Sequence, residues 1–446
     1  MAFIRAIGEK LNIDGDGFVI GLDLKNDNSQ ISYYAFGSDM PETVSMTVGA
    51  EDYDIPTVLC RRFEVNQWYF GRQAVTKAAQ KDGVLVADLV KRAAEGAVVP
   101  IEGEDYYAVD LLALFVKRCF TRLPASVSKD RIRAVMITVE KLDQGMVDAL
   151  LRVSEVLGID KEKVFFNACA ESFYGYMVHQ DRELWEQETL LLDLTPDGLH
   201  AYRMKLNHQT KPMVIMVEEK IYPDFQVYRE DDASVLKGGR IEVNKSPAVL
   251  DREFLTIASE LCEGHVVSSV YIIGRGFSQN WSKESLNYIC RNRRVFQGNN
   301  LFSKGAAYAA MERLRPGDKN SEYVYIGGDK LRANLGMHVY RKGSEAYMAL
   351  LDAGVNWYET SREADLFLEN GTTLTLIITL LNGGRVIKQD ITLEDYPLRN
   401  GKTNRIRMHV EPVSVETVRI TVTDLGFGEI FPSSGKTWVK EIRICE

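Results

Sequence analysis

Two short segments about 170 residues apart restrict the fold more than anything else in the chain. Gly17-Phe-Val-Ile-Gly-Leu-Asp-Leu24 is an apolar strand with Asp23 near its end, and Lys25-Asn-Asp-Asn28 turns it into a second strand, Gln30–Ala35. Thr189-Leu-Leu-Leu-Asp-Leu194 repeats the arrangement with Asp193, turning through Thr195-Pro-Asp-Gly198 into Leu199–Lys205. An apolar run bounded by small polar turn residues reads as a strand entering a hairpin. Two such hairpins, each ending its first strand on an acid, imply a duplicated lobe.

The segments after each hairpin alternate between strand and helix. Apolar residues at helical spacing in Tyr107–Arg122 and Asp143–Leu157 flank the strand Arg133–Val139, and Val164–Phe166 leads into a helix over Ala168–His179. Residues 72–92 read as helices broken at Asp82-Gly83. The second half offers a strand at Pro212–Val217, a helix over Asp251–Cys262, the strand Val266–Ile273 running into Gly274-Arg-Gly276, and helices near 283–291 and 304–313. This order predicts α/β layers with partly parallel strands.

From about Tyr323 period-2 alternation takes over, in Leu374–Leu380, Asn404–Val410 and Thr417–Val422, with turns at Gly383-Gly384 and Asn400-Gly401. The reading is an all-β, sandwich-like domain over 325–446 with a short helix over Ser344–Ala353, following lobes at 1–185 and 186–320. Tyr323–Ile326 reads as a core strand.

Composition narrows the function. A chain of 446 residues is long enough for two or three cores, and a net charge of -9 argues against a nucleic-acid binder, which needs a basic surface. Six cysteines without a CxxC pair, and six histidines without an HExxH motif, offer neither a disulfide framework nor a zinc site. No apolar stretch has the length of a membrane span, and the first ten residues lack a signal's apolar core, so a cytoplasmic protein without membrane insertion is expected.

An acid at a strand end beside a tight polar turn can orient a hydrated Mg²⁺ while backbone N–H groups face phosphate. The order of elements resembles the actin-like ATPase superfamily, and most closely the heat-shock-70 chaperone family, over almost the whole chain. Gly21–Ser29 resembles its first phosphate loop, Phe166–Tyr176 and Asn300–Ala310 its two connecting helices, Leu192–Gly198 its second phosphate loop and Ile272–Gly276 its adenosine loop. Gly305-Ala-Ala307 supplies small residues where those helices would cross.

The resemblance implies a duplicated ribonuclease-H-like, two-lobed domain. It implies ATP or ADP with Mg²⁺ as cofactors and Asp23, Glu171 and Asp193 as catalytic residues, with Asp23 and Asp193 positioning the metal. Nucleotide contacts would come from Lys25, Asn26, Asp27, Thr195, Gly198, Gly274, Arg275 and Gly276.

Departures accompany the matches. Lys25 and Asn26 stand where the family has a glycine and a hydroxyl residue. Thr195, Pro196, Asp197 and Gly198 replace a triple glycine and threonine, and His200 replaces an acid. Val75 occupies the place of the catalytic lysine, with Lys77 two residues beyond. The helical lid of the family has no counterpart before Glu446. Three readings stay open: a divergent slow ATPase coupled to protein binding, a pseudo-ATPase scaffold whose β-domain binds a protein partner, and an actin-like assembly protein.

Overall fold

The computed structural model describes residues 17–208, 212–227, 245–278, 280–315, 322–341, 343–369, 371–380, 385–400 and 403–445. The first ten residues and the glycine turns at Gly383-Gly384 and Gly401 lie outside the described residues. Residues Leu11–Gly327 cluster into one compact unit, and Gly328–Glu446 belong to another. The first is mixed α/β and the second β-rich.

Both hairpins form, and each organises a six-stranded sheet. In the first sheet Phe18–Asp23 runs antiparallel to Asn28–Ala35 on one side and parallel to Ile132–Val139 on the other, with Val164–Ala168 parallel beyond. In the second sheet Glu188–Thr195 lies between its hairpin partner Gly198–Asn207 and the parallel strand Val267–Ile273, with Arg294–Gln297 outermost. The two sheets therefore share strand order and sense. Strands buried on both faces explain why their sequences read as continuous apolar runs rather than alternating ones: every residue of Phe18–Asp23 is buried.

The helices arise from local signals. Gln144–Leu157 starts where the Asp143 carboxylate accepts from the Met146 N–H at 3.0 Å and ends at Gly158, burying Met146, Val147, Leu150, Val153 and Leu157. The segment 72–92 departs from expectation. Between helices Gly71–Ala79 and Leu89–Ala94 it holds a strand, Gly83–Val86, which pairs with Leu59–Arg62. Tyr323–Tyr325 is a strand, parallel to Met213–Ile215 at the edge of the second sheet.

Helices Cys169–Met177 and Leu301–Leu314 pack closely, joined by Ser172 Oγ donating to the Phe302 carbonyl at 2.7 Å. A Cβ on Gly305 would lie 2.0 Å from the Ser172 carbonyl oxygen, and that oxygen belongs to the main chain of a helix, which cannot step aside. On the neighbouring face Ala306 and Ala310 pack against Val19, Ala134 and Met136 of the first sheet. Gly305→Ala should therefore destabilise the protein by about 1–3 kcal/mol through overpacking. Helix propensity alone favours alanine by about 1 kcal/mol, so a raised melting temperature in this variant would refute the close crossing.

The β-rich unit contains two four-stranded antiparallel sheets, ordered Ser344–Leu351, Ala333–Arg341, Thr373–Leu380, Val386–Thr392 and Arg362–Phe367, Arg405–Pro412, Thr417–Asp424, Thr437–Arg443. Alternation is strict in Thr417–Asp424, where every second residue is buried. The expected helix at Ser344–Ala353 is a strand. Its Glu-Ala-Tyr-Met-Ala-Leu-Leu run has helical propensity, but Ala333–Arg341 offers a complete ladder partner, and tertiary pairing overrides local preference.

Candidate functional site

The carboxyl ends of the central strands, Phe18–Asp23 and Glu188–Thr195, open onto one cavity of about 370 Å³. In an α/β sheet this is where loops leave the strands and side chains can converge. Asp23, Lys25, Asp27, Asn28 and Gln30 reach it from the first hairpin, Asp193 and Thr195 from the second. Gly274 and Arg275 follow the strand Val267–Ile273 into it, and Phe302 enters from the helix Leu301–Leu314.

The central contact is an ion pair between the hairpins. Lys25 Nζ donates to Asp193 Oδ2 at 2.5 Å, with the side chains only 8% and 4% exposed. The ammonium also lies 4.5 Å from the centre of the Phe302 ring, within cation–π range. Burial would lower the lysine pKa, but Asp193 and Asp23 hold it well above its ordinary value.

One lysine serves several acids. Burial pushes Asp23 up to about 7, with Lys25 opposing the shift and Asp193, Asp27 and Glu140 reinforcing it. Burial likewise raises Asp27 and Glu140 despite the pull of Lys25. Nearby, burial works against protonation of His200, yet Glu219 at 3.0 Å, Glu140 and Asp193 raise its pKa.

Three cavity-lining side chains carry buried oxygens without a hydrogen-bond partner among the described residues: Asp23 Oδ1, Asn28 Oδ1 and Gln30 Oε1. The two amides cannot be turned over to remove the deficit. Asn28 Nδ2 donates to Asp27 Oδ2 at 3.2 Å and Gln30 Nε2 to Asp54 Oδ1 at 2.7 Å, and an ionised carboxylate only accepts.

The expected site residues separate into two groups. Asp23, Lys25, Asp27, Asp193, Thr195, Gly274 and Arg275 line the cavity. Asn26, Glu171, Gly198 and Gly276 do not. Asn26 Oδ1 accepts from the Lys91 N–H at 2.9 Å, capping the helix Leu89–Ala94. Glu171 lies partly buried in the first turn of the helix Cys169–Met177. Gly198 pairs with Thr195 in the hairpin and packs against Tyr222, where a Cβ would be 2.6 Å from the Tyr222 carbonyl oxygen. The Gly276 carbonyl accepts from Trp281 Nε1 at 2.8 Å.

Lys77 does not reach the cavity. Its ammonium pairs with Asp82 at 3.1 Å, while Val75 is buried among Val58, Cys60 and Ala74.

Asp193, expected to help hold a hydrated metal, accepts the Lys25 ammonium instead. Among the described residues no three His, Cys, Asp or Glu side chains gather as a metal site. Sequence reasoning missed Asn28, Gln30, Glu51, Asp54 and Phe302 in the cavity wall, and Glu140 beside it. Glu140 alone had a usable signal, since it directly follows the parallel strand Ile132–Val139.

A model for the C-terminal part of a family of unknown function, DUF5716, matches residues 40–328. A domain of unknown function, DUF8552, matches residues 330–444. No curated protein matches the chain.

Proposed function

The chain belongs to the family of unknown function DUF5716, and for this member we propose a pseudo-ATPase scaffold. In this reading the α/β unit is an actin-like, duplicated ribonuclease-H-like domain whose cleft no longer turns over nucleotide, and the β-rich unit binds a protein partner. The buried Lys25–Asp193 ion pair carries the proposal. A tethered ammonium joins the two hairpins where a metal and triphosphate would have to enter, and separating a buried pair costs about 3–5 kcal/mol.

The surroundings favour the same reading. Asp23, Asp27, Glu51, Asp54 and Asp193 line the cavity against Lys25 and Arg275, so a triphosphate would meet excess negative charge. Pro196 contributes no N–H donor to the second hairpin turn.

One observation favours the slow-ATPase alternative. The cavity extends to Gly274 and Arg275, in the segment that resembles an adenosine loop. Titration calorimetry with ATP and ADP, with and without Mg²⁺, separates the two readings. The scaffold predicts no nucleotide binding tighter than about 1 mM, which corresponds to about 4 kcal/mol. Magnesium-dependent micromolar binding that disappears in Asp193→Ala would overturn the scaffold and establish a nucleotide switch.

A further inference from the structure

The same cavity has a chemical preference beyond the loss of nucleotide turnover. Its wall is rich in acceptors. Asp23, Asn28 and Gln30 are 5%, 8% and 7% exposed, and each keeps one oxygen unpartnered among the described residues. An unpaired buried polar atom costs about 1–3 kcal/mol, so three in one wall are a substantial local cost. A ligand recovers it only by donating hydrogen bonds. Phosphate, which accepts, cannot.

Charge points the same way. The two cavity-lining cations face five carboxylates, and Lys25 is already committed to Asp193. The volume, about 370 Å³, is much larger than a bare ion needs, and the described carboxylates do not gather into a metal-holding group. Phe302 adds an aromatic surface beside the acids, suited to the methylene stem of an organic ion.

We infer that the cavity binds a small aliphatic cation, a molecule whose primary ammonium groups donate to the Asp23, Asn28 and Gln30 wall. The inference deepens the scaffold reading, since it assigns the same cleft a ligand other than a nucleotide. The hairpin loops then act as a receptor for that cation. Lys25 stays paired with Asp193 and serves as part of the wall.

Calorimetry on the full chain with putrescine as probe tests this, with 1,4-butanediol as the neutral analogue of equal length and MgCl₂ as the inorganic control. The expected result is saturable putrescine binding, without detectable binding of the diol and without competition from equimolar Mg²⁺. Asp23→Asn should weaken putrescine at least about tenfold, as loss of a charged hydrogen bond does. Glu51 is exposed at the cavity, so Glu51→Gln leaves packing intact and should weaken binding about threefold through charge alone.

Absence of putrescine binding to folded protein at about 10 mM (about 3 kcal/mol) would overturn the inference. Equal binding of the diol, or unchanged affinity in both variants, would overturn it too. Because ATP is titrated separately, a missing putrescine signal with a missing nucleotide signal sinks the cation and leaves the scaffold, whereas micromolar Mg–ATP binding sinks the scaffold.

Discussion

Asp23→Asn should stabilise the protein at pH 8, by about 2–4 kcal/mol, and the gain should shrink towards zero near pH 4. Asp23 is 5% exposed, and burial, only partly answered by Lys25, pushes its pKa up to about 7. An unfolded aspartate titrates near 4. Between these values the folded chain holds a proton that the unfolded chain has released, so stability falls as pH rises through the window. Above pH 7 the full penalty applies, roughly 1.4 kcal/mol for each tenfold difference in proton affinity between the folded and unfolded chains.

Asparagine fills the same space without the charge, although Lys25 gives up one of its two attracting carboxylates. Urea unfolding of both proteins at pH 5 and pH 8 provides the check. Equal destabilisation by Asp23→Asn at both values would mean that the folded state compensates this carboxylate. A stabilised variant that also lost putrescine would place the cost of the buried acid in ligand binding.

The opposite outcome is expected for Asp424 in the β-rich unit. Its side chain is fully buried, and Arg399 grips it with both terminal nitrogens, at 2.9 and 2.7 Å. Tyr396 donates at 3.2 Å, Gly426 N–H at 3.1 Å and Ser434 N–H at 2.7 Å. Burial alone would raise this carboxyl, but Arg399 and the N–H donors hold it well below the ordinary range. A depressed acid contributes stability above the unfolded value near 4 and loses it only as pH falls below that value. The contribution is therefore constant between pH 5 and 8.

Asp424→Ala leaves the Arg399 guanidinium, 9% exposed, without its counter-ion. Removing one partner of such a pair costs about 3–5 kcal/mol, a large share of a domain's typical stability of about 5–15 kcal/mol. Hydrogen exchange on the full chain should show protection lost across Thr373–Arg443 and kept in Ile132–Ala168. Unchanged protection in both segments would show that the buried pair contributes little.

These two acids mark the limits of a sequence reading. Asp23 is legible, because an acid closing an apolar strand before a polar turn is a local pattern. Asp424 is not, since nothing in Thr-Asp-Leu-Gly distinguishes it from a solvated turn acid until Arg399 is brought to it across the sheet. The same division holds for the fold. Apolar runs in Phe18–Asp23 and Glu188–Thr195, the caps of Gln144–Leu157 and the alternation in Thr417–Asp424 are near-neighbour signals. Ser344–Leu351 reads as a helix from its residues alone and becomes a strand only when the adjacent strand supplies hydrogen bonds.

In the site, the sequence alone placed Asp23, Asp193 and the turn residues around them, because backbone geometry places an acid at each strand end. Tertiary structure alone decided what those acids do. Lys25 and Asp193 are 168 positions apart and meet only after both sheets have formed. Asn28 and Gln30 become acceptors with unpaired oxygens only once Asp27 and Asp54 have taken their amide protons. Turn chemistry and side-chain period act over a few residues, whereas ion pairing, desolvation and hydrogen-bond deficits depend on which distant groups share a buried space.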